Sequence, residues 1–408
     1  MRGHSVDERL RASLARRRRA ETRFRLYGLS AVVVALFFLG VLFVTIVANG
    51  WSVIRQTEAT VAVFFDPEAI ASGDFQGLAK AALRERFPEM RNHRARRELY
   101  ALLSIGAAED LRRVVAERPD VLGKTVSVAV LASDDVDLWL KGRATTMTPR
   151  QQDWLETLKK DDALHLAFNW RFFTSGDSRE PELAGILSGL VGSFWMLLVT
   201  LALSFPIGLC AAVYLEEFAP RNFLTDMIEV NINNLAAVPS IVFGLLALAV
   251  FLNLFGLPRS APLVGGMALS LMTLPTIIIA ARAALKAVPD SMRHAGLALG
   301  ASKLQVVTHH VLPLAMPGML TGAIIGMAQA LGETAPLLLI GMVAFIVDTP
   351  LSPLDPATAL PVQIYLWADS PERAFLERMS AAIMVLLAFL IVMNLTAVIL
   401  RRKFERRW

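Results

Sequence analysis

The chain has 408 residues, with 41 lysines and arginines against 36 aspartates and glutamates, and 55% of its residues are hydrophobic. That share and a mean hydropathy of +0.50 exceed what an ordinary soluble domain carries. The single cysteine, Cys210, excludes a disulfide framework or a cysteine zinc site within one chain.

Residues 1–26 hold nine arginines against three acids, including the run Arg16, Arg17, Arg18 and Arg19. An apolar stretch follows over 27–48. It matches the roughly 20 residues a helix needs to cross a bilayer and exceeds the ~7–15 apolar residues of a signal peptide. An uncleaved anchor over 27–49 is expected, with its basic end in the cytoplasm.

Residues 50–183 differ in kind, because no apolar run there is long enough to span. Alternating runs at 59–65 and 125–131 predict strands, and 3.6-residue patterns at 75–87, 96–105 and 149–158 predict helices. A small α+β domain is expected. Its cluster Arg91, Arg94, Arg96 and Arg97 reads as a solvated helix face, with a binding patch as the alternative.

Five further apolar blocks run over about 190–214, 235–257, 262–285, 316–347 and 381–400, and the basic segment 401–408 closes the chain. Six spans with basic ends place both termini in the cytoplasm and residues 50–183 outside. The expected fold is an all-α polytopic membrane protein of six transmembrane helices, its core over 184–400, with a small α+β extracytoplasmic domain. Pro206, Gly208, Pro239, Gly244, Pro275, Gly332 and Pro336 interrupt the later blocks, as helices do where they line a cavity or pack on protein.

Between the fourth and fifth spans lies a polar segment over about 286–315. Asp290 or Ser291, after Pro289, suits a helix N-cap. Met292, Ala295, Gly296 and Leu299 then share one helix face, and Gly300 suits its end. Ser302 can cap a second short helix that stops near Pro313. His309 and His310 are adjacent on that helix and cannot share a face, so no metal site is expected.

This segment resembles the EAA loop of ABC-importer permeases. His294-Ala295-Gly296, Gly300 and His310-Val311-Leu312-Pro313 fall at that loop's spacing, with His294, Gly296 and His310 in place of Glu, Ala and Ile. The resemblance implies a coupling helix that docks on an ATPase. Its ATPase-coupling residues would be Met292, Arg293, His294, Ala295, Gly296, Leu299, Gly300, Leu312 and Pro313.

Three other stretches are similar to the PstA branch, the permease subunits of phosphate ABC importers. They are Ala184-Gly-Ile-Leu-Ser-Gly-Leu-Val-Gly-Ser193 running on to Pro206-Ile-Gly and Tyr214-Leu-Glu-Glu, then Val238-Pro-Ser-Ile-Val, then Gly332-Glu-Thr-Ala-Pro336. Ser193 stands where that family has Thr. The resemblance runs from about Phe172 to the C-terminus. It implies the type I ABC importer permease fold and translocation of inorganic phosphate across the inner membrane. The implied partners are a PstC-like permease, a PstB-like ATPase dimer and a PstS-like periplasmic phosphate-binding protein. No Walker motif occurs, so ATP and Mg would be used by the partner ATPase, and this chain would be a transport subunit without a cofactor of its own.

The residue chemistry offers translocation-path candidates. Glu333 is an acid inside an apolar block, either functional or a hydrogen-bonded link between helices. Arg282 either reaches the membrane interface, receives an anion, or pairs with Glu333. Ser240, Thr276 and Thr334 add hydroxyls near the interruptions. Molybdate or sulfate as cargo, a membrane sensor, and an ion-coupled secondary transporter are the alternatives.

Overall fold

The computed structural model describes residues 4–89, 92–143, 146–343 and 345–404; Arg91 and residues 405–408 of the terminal basic segment lie outside them. Among the described residues, five helices are long and apolar enough to cross a membrane: Ala20–Ile54, Leu187–Phe218, Pro262–Lys286, Lys303–Gly332 and Ala374–Lys403. A sixth span exists if Phe223–Ala236 and Ser240–Leu254, bent by 102° at their break, count as one. In chain order they are called spans one to six, the bent pair being span three.

Small residues let the core spans approach. Gly318, Gly322 and Gly326, four residues apart, lay one face of span five on span four. A Cβ added at Gly318 would sit 2.6 Å from Ala284 Cβ, and one at Gly326 would sit 3.5 Å from Thr273 Cβ. Such seams replace the missing hydrophobic driving force inside a bilayer. Spans two and four meet likewise: an added Cβ at Gly266 would lie 2.7 Å from Met196 O, and Thr200 Oγ1 donates to Gly266 O at 3.3 Å.

The block expected over 316–347 is not one helix. Span five begins earlier, at Lys303, and stops at Gly332. Glu333 and Thr334 are extended or turning backbone, then a short helix covers Ala335–Leu339. Pro336, which lacks an N–H, fits the first turn of a new helix better than the interior of a long one. The chain then crosses a loop to a helix over Leu360–Ala368. Ser193 Oγ accepts from Leu360 N at 2.8 Å, satisfying an otherwise orphaned N–H at that helix start. Gly192 lies so close to Thr358 O that no side chain fits. The glycine-containing first turns of span two are thus the seat for this helix.

Between spans one and two stands an α+β unit. Three antiparallel strands, β1 (Arg55–Phe64), β2 (Thr125–Leu131) and β3 (Leu164–Phe168), lie in the order β2-β1-β3. Val61, Val63, Val128, Val130 and Leu164 from the strands meet Leu83, Leu99, Leu111 and Leu155 from the helices in one core. Asp74 caps the helix Phe75–Arg86, and Thr148 with Gln151 forms a capping box on Pro149–Lys160. Span one ends in the turn Trp51–Ile54, which runs directly into β1. We call this extremity of the bundle the sheet end, and that of the 286–315 segment the loop end.

At the sheet end the unit is joined to span six by buried charge. Arg143 Nε approaches Glu377 Oε1 at 2.8 Å, Ser52 Oγ donates to Glu377 Oε2 at 2.6 Å, and Lys141 Nζ approaches Asp137 Oδ2 at 2.5 Å. Arg378 Nη1 donates to Ala184 O at 2.8 Å. Span one is otherwise bare, its apolar window 0% buried, and it touches span six near Gly50, where an added Cβ would meet Ala381 N at 2.8 Å.

Candidate translocation and coupling site

At the loop end, opposite charges converge from four elements. Arg282 on span four donates from Nη2 to Glu229 Oε1 at 2.5 Å and from Nε to Glu216 Oε2 at 3.4 Å. Glu216 is in the last turn of span two, Glu229 in the first half of span three. Arg282 therefore ties spans two, three and four. It does not pair with Glu333: the antiparallel seam puts Glu333 beyond Gly326, level with the first turns of span four, about 20 Å along the axis from Arg282.

Arg293 has more partners still. Its Nη2 donates to Glu217 Oε1 at 2.7 Å and to Leu285 O at 2.9 Å, and its Nη1 to Val288 O at 2.7 Å and Asp290 Oδ1 at 3.2 Å. The bond to Glu217 pushes the guanidinium pKa further up, so it stays charged. Arg293 thereby clamps the short helix Asp290–Ala298 to the last carbonyls of span four and to the end of span two. This arrangement turns Arg293 inward, onto its own chain. A cleft of about 550 Å³ lies around this clamp, lined among others by Glu217, Lys286, His294 and Lys303.

The rest of the loop departs in detail from the sequence pattern. Pro289 is the N-cap, and Asp290 is the first helical residue, close to the positive end of the helix. The face Met292, Ala295, Gly296 and Leu299 is divided: Gly296 is buried against Val306, while Leu299, just past the helix end, is 89% exposed. His294 and Ala295 face outward. Gly300 takes a left-handed φ of +84°, which suits glycine. Ser302 and Gln305 cap each other across the next turn. Leu312 and Pro313 are half-buried at the start of the regular part of span five, and His309 and His310 are exposed.

The second constellation is a pair of interrupted helices. Ser240–Leu246 and Ala335–Leu339 lie against each other, with Gly244 at the crossing: a Cβ there would stand 2.7 Å from Pro336 Cα. Ser240 opens the first of these helices and Thr334 is the N-cap of the second. Ser240, Glu333 and Thr334 are all half-buried, and Glu333 has no ion-pair partner among the described residues. Thr276 is half-buried on span four, six residues before Arg282. The structure thus gathers Ser240, Glu333 and Thr334 on two touching breaks, with Arg282 apart from them.

Residues 204–408 match the family described as binding-protein-dependent transport system inner membrane component. The chain belongs to that family. Residues 11–150 match a domain of unknown function, DUF3333. The probable ABC transporter permease protein YqgI of Bacillus subtilis is 35% identical over 171 residues, which are 42% of this chain and 58% of that protein. The phosphate transport system permease protein PstA 1 of Mycobacterium tuberculosis is 32% identical over 238 residues, 58% of this chain and 77% of that protein. A solved structure of the MetNI methionine ABC transporter in an inward-facing conformation aligns with a TM-score of 0.42 and 19% identity, over 53% of this chain and 95% of that one.

The part matched to this inner membrane component family takes in the loop-end clamp and both helix breaks, while the strands of the α+β unit precede it. Sequence reasoning missed Glu216, Glu217 and Glu229. A signal was present: three acids in or beside apolar blocks, with Arg282, Lys286 and Arg293 as the cations placed to answer them.

Proposed function

We propose that this chain is a permease subunit of an ABC importer that carries inorganic phosphate across the inner membrane. The observation that carries this reading is the 32% identity to a phosphate transport system permease over 77% of that protein's length. The two touching helix breaks support it, since hydroxyls and the N–H groups of helix starts are suited to an oxyanion. Ser240 and Thr334 supply the hydroxyls, with Thr276 deeper along span four. A homologous, PstC-like permease completes the pathway and supplies the counter-charge of Glu333.

In this reading both termini and the helix Asp290–Ala298 lie in the cytoplasm, and the α+β unit lies outside. A PstS-like binding protein delivers phosphate, and a PstB-like ATPase dimer uses ATP and Mg. The outward residues His294, Leu297 and Leu299 meet the ATPase, while Arg293 passes its movement to spans two and four. The chain is then a transport subunit and catalyses no reaction itself.

The test is uptake of labelled phosphate into proteoliposomes holding this chain with its partner permease, ATPase and binding protein. ATP-dependent uptake is expected, competed by arsenate but not by sulfate or molybdate, and lost in Gly300→Asp. A complex that hydrolyses ATP and accumulates sulfate or molybdate instead would show the cargo assignment to be wrong.

A further inference from the structure

The end of β3 and the segment joining it to span two carry a group of aromatic rings that stand partly exposed among the described residues. Phe168 is 48% exposed, Trp170 68% and Phe173 37%. Their rings form one patch, with Phe168 and Trp170 centroids 4.6 Å apart and Phe168 and Phe173 stacked at 6.0 Å. Large exposed apolar patches mark a surface that is covered in use.

The patch is held at the point where two spans emerge. Asn169 N donates to Ile54 O at 2.8 Å, and Asn169 Nδ2 to Val53 O at 3.0 Å, which pins Trp170 beside the end of span one. Leu187 N donates to Ser175 O at 3.0 Å, which pins the other side to the start of span two. Trp51, one residue past the helix end at Gly50, is itself 65% exposed. Leu42, Phe43 and Val44 on span one are also exposed, at 57%, 56% and 66%. The aromatic patch therefore continues a lipid-facing surface past the end of its helix. Among the described residues nothing accepts a hydrogen bond from the Trp170 indole N–H. A ring with an apolar body and an unused donor is suited to the headgroup boundary of a bilayer.

We infer that Phe168, Trp170 and Phe173, with Trp51, dock the α+β unit onto the membrane leaflet at the sheet end. The occupant of this surface is the lipid interface itself. The unit then lies against the bilayer on this edge, and β3, its outermost strand on that side, is shielded by lipid rather than by protein. The inference needs only the membrane-spanning character of the chain and is independent of its cargo.

The test uses the full chain in nanodiscs of phosphatidylcholine, with and without bromine on the upper acyl carbons. The emission contributed by Trp170, taken as wild type minus Trp170→Phe, is expected to be quenched by brominated lipid. As a second measurement, a nitroxide at Phe168→Cys, in a Cys210→Ser background, is expected to be more accessible to oxygen than to a water-soluble nickel chelate. Emission that bromine leaves unchanged, together with a label open to the nickel reagent, overturns the inference. So does quenching seen with the chain alone but lost once the partner permease is bound, because then protein covers the patch.

Discussion

Arg143, in the α+β unit, and Glu377, in span six, are 234 residues apart in sequence and 2.8 Å apart in space, and the Glu377 side chain is only 6% exposed. Arg143 is half-buried and Glu377 buried; such a pair gives little net stability as a pair, but removing Arg143 strands the buried carboxylate without its nearest counter-charge. Lys141 stands 4.0 Å from Glu377 and softens the loss. Arg143→Ala is expected to destabilise the protein by about 3 kcal/mol, the lower end for a broken buried pair, whereas the double variant Arg143→Met with Glu377→Met recovers most of it. Thermal unfolding in detergent checks this ordering. Equal losses in the single and double variants would mean that the pair is not what fixes the junction.

The loop-end clamp makes an asymmetric prediction. Arg293→Ala removes bonds to two main-chain carbonyls and leaves Glu217, 6% exposed, without its cation. Glu217→Gln keeps the carbonyl bonds and removes only charge. Arg293→Ala is therefore expected to cost about 3–5 kcal/mol and Glu217→Gln clearly less. Amide exchange over residues 290–298 should speed up strongly in the first and weakly in the second. The same ranking should appear in ATP-driven uptake.

Two glycines near the helix breaks should respond in opposite ways. Gly244 touches Pro336 backbone, so Gly244→Leu is expected to force the short helices apart and abolish uptake while the chain still inserts. Gly332 has open space where a Cβ would go, so Gly332→Ala is expected to leave uptake within about twofold, a difference under 0.5 kcal/mol. Uptake by the Gly244→Leu variant equal to wild type would separate the crossing from the transport path.

Two buried carboxyls set a pH dependence. Burial pushes Asp177 up to about 6 and Glu182 up to about 7, from ordinary values of 3.8 and 4.5. Asp177 accepts from Trp367 Nε1 at 3.0 Å and from Ser178 N at 2.9 Å, which opposes the burial only in part. Both folded values lie above the unfolded ones, so the folded chain binds more protons than the unfolded chain between them. Stability is then fully kept below about pH 4 on this account and falls as pH rises to about 7, by about 3 kcal/mol per group. Melting temperatures from pH 5 to 8 are expected to decline. Glu182→Gln should flatten the upper part of that decline and Asp177→Asn the lower part.

Much of the architecture was legible because its signals are local. Six apolar blocks, the alternation around 59–65 and 125–131, and the Pro289 to Pro313 punctuation each depend on neighbouring residues. What escaped depends on distant ones. β3 reads Leu-His-Leu-Ala-Phe and is a strand only because β1 offers Arg55 to Ala59 as partners. The end of span five at Gly332 hides inside an apolar run, since Ala335–Leu339 is as hydrophobic as the helix before it. Arg282 looked free to meet Glu333, and only the antiparallel register of spans four and five separates them. Gly296 read as an open face for a partner and is spent on Val306.

The Arg143–Glu377 contact also has a history in time. A ribosome adding ~5–20 residues per second reaches Glu377 on the order of 10–50 s after Arg143. The strands and helices around Arg143 and Lys141 precede span two, so they can close while five spans remain unmade. Through that interval the two cations have Asp137, the Asn49 side-chain oxygen and the Ala48 carbonyl to answer them. The final helix delivers Glu377 and Arg378 together, and with them the last missing charges. Completion of this junction thus reports that synthesis has passed residue 378, and it is left unsatisfied in any product that stops short of Glu377.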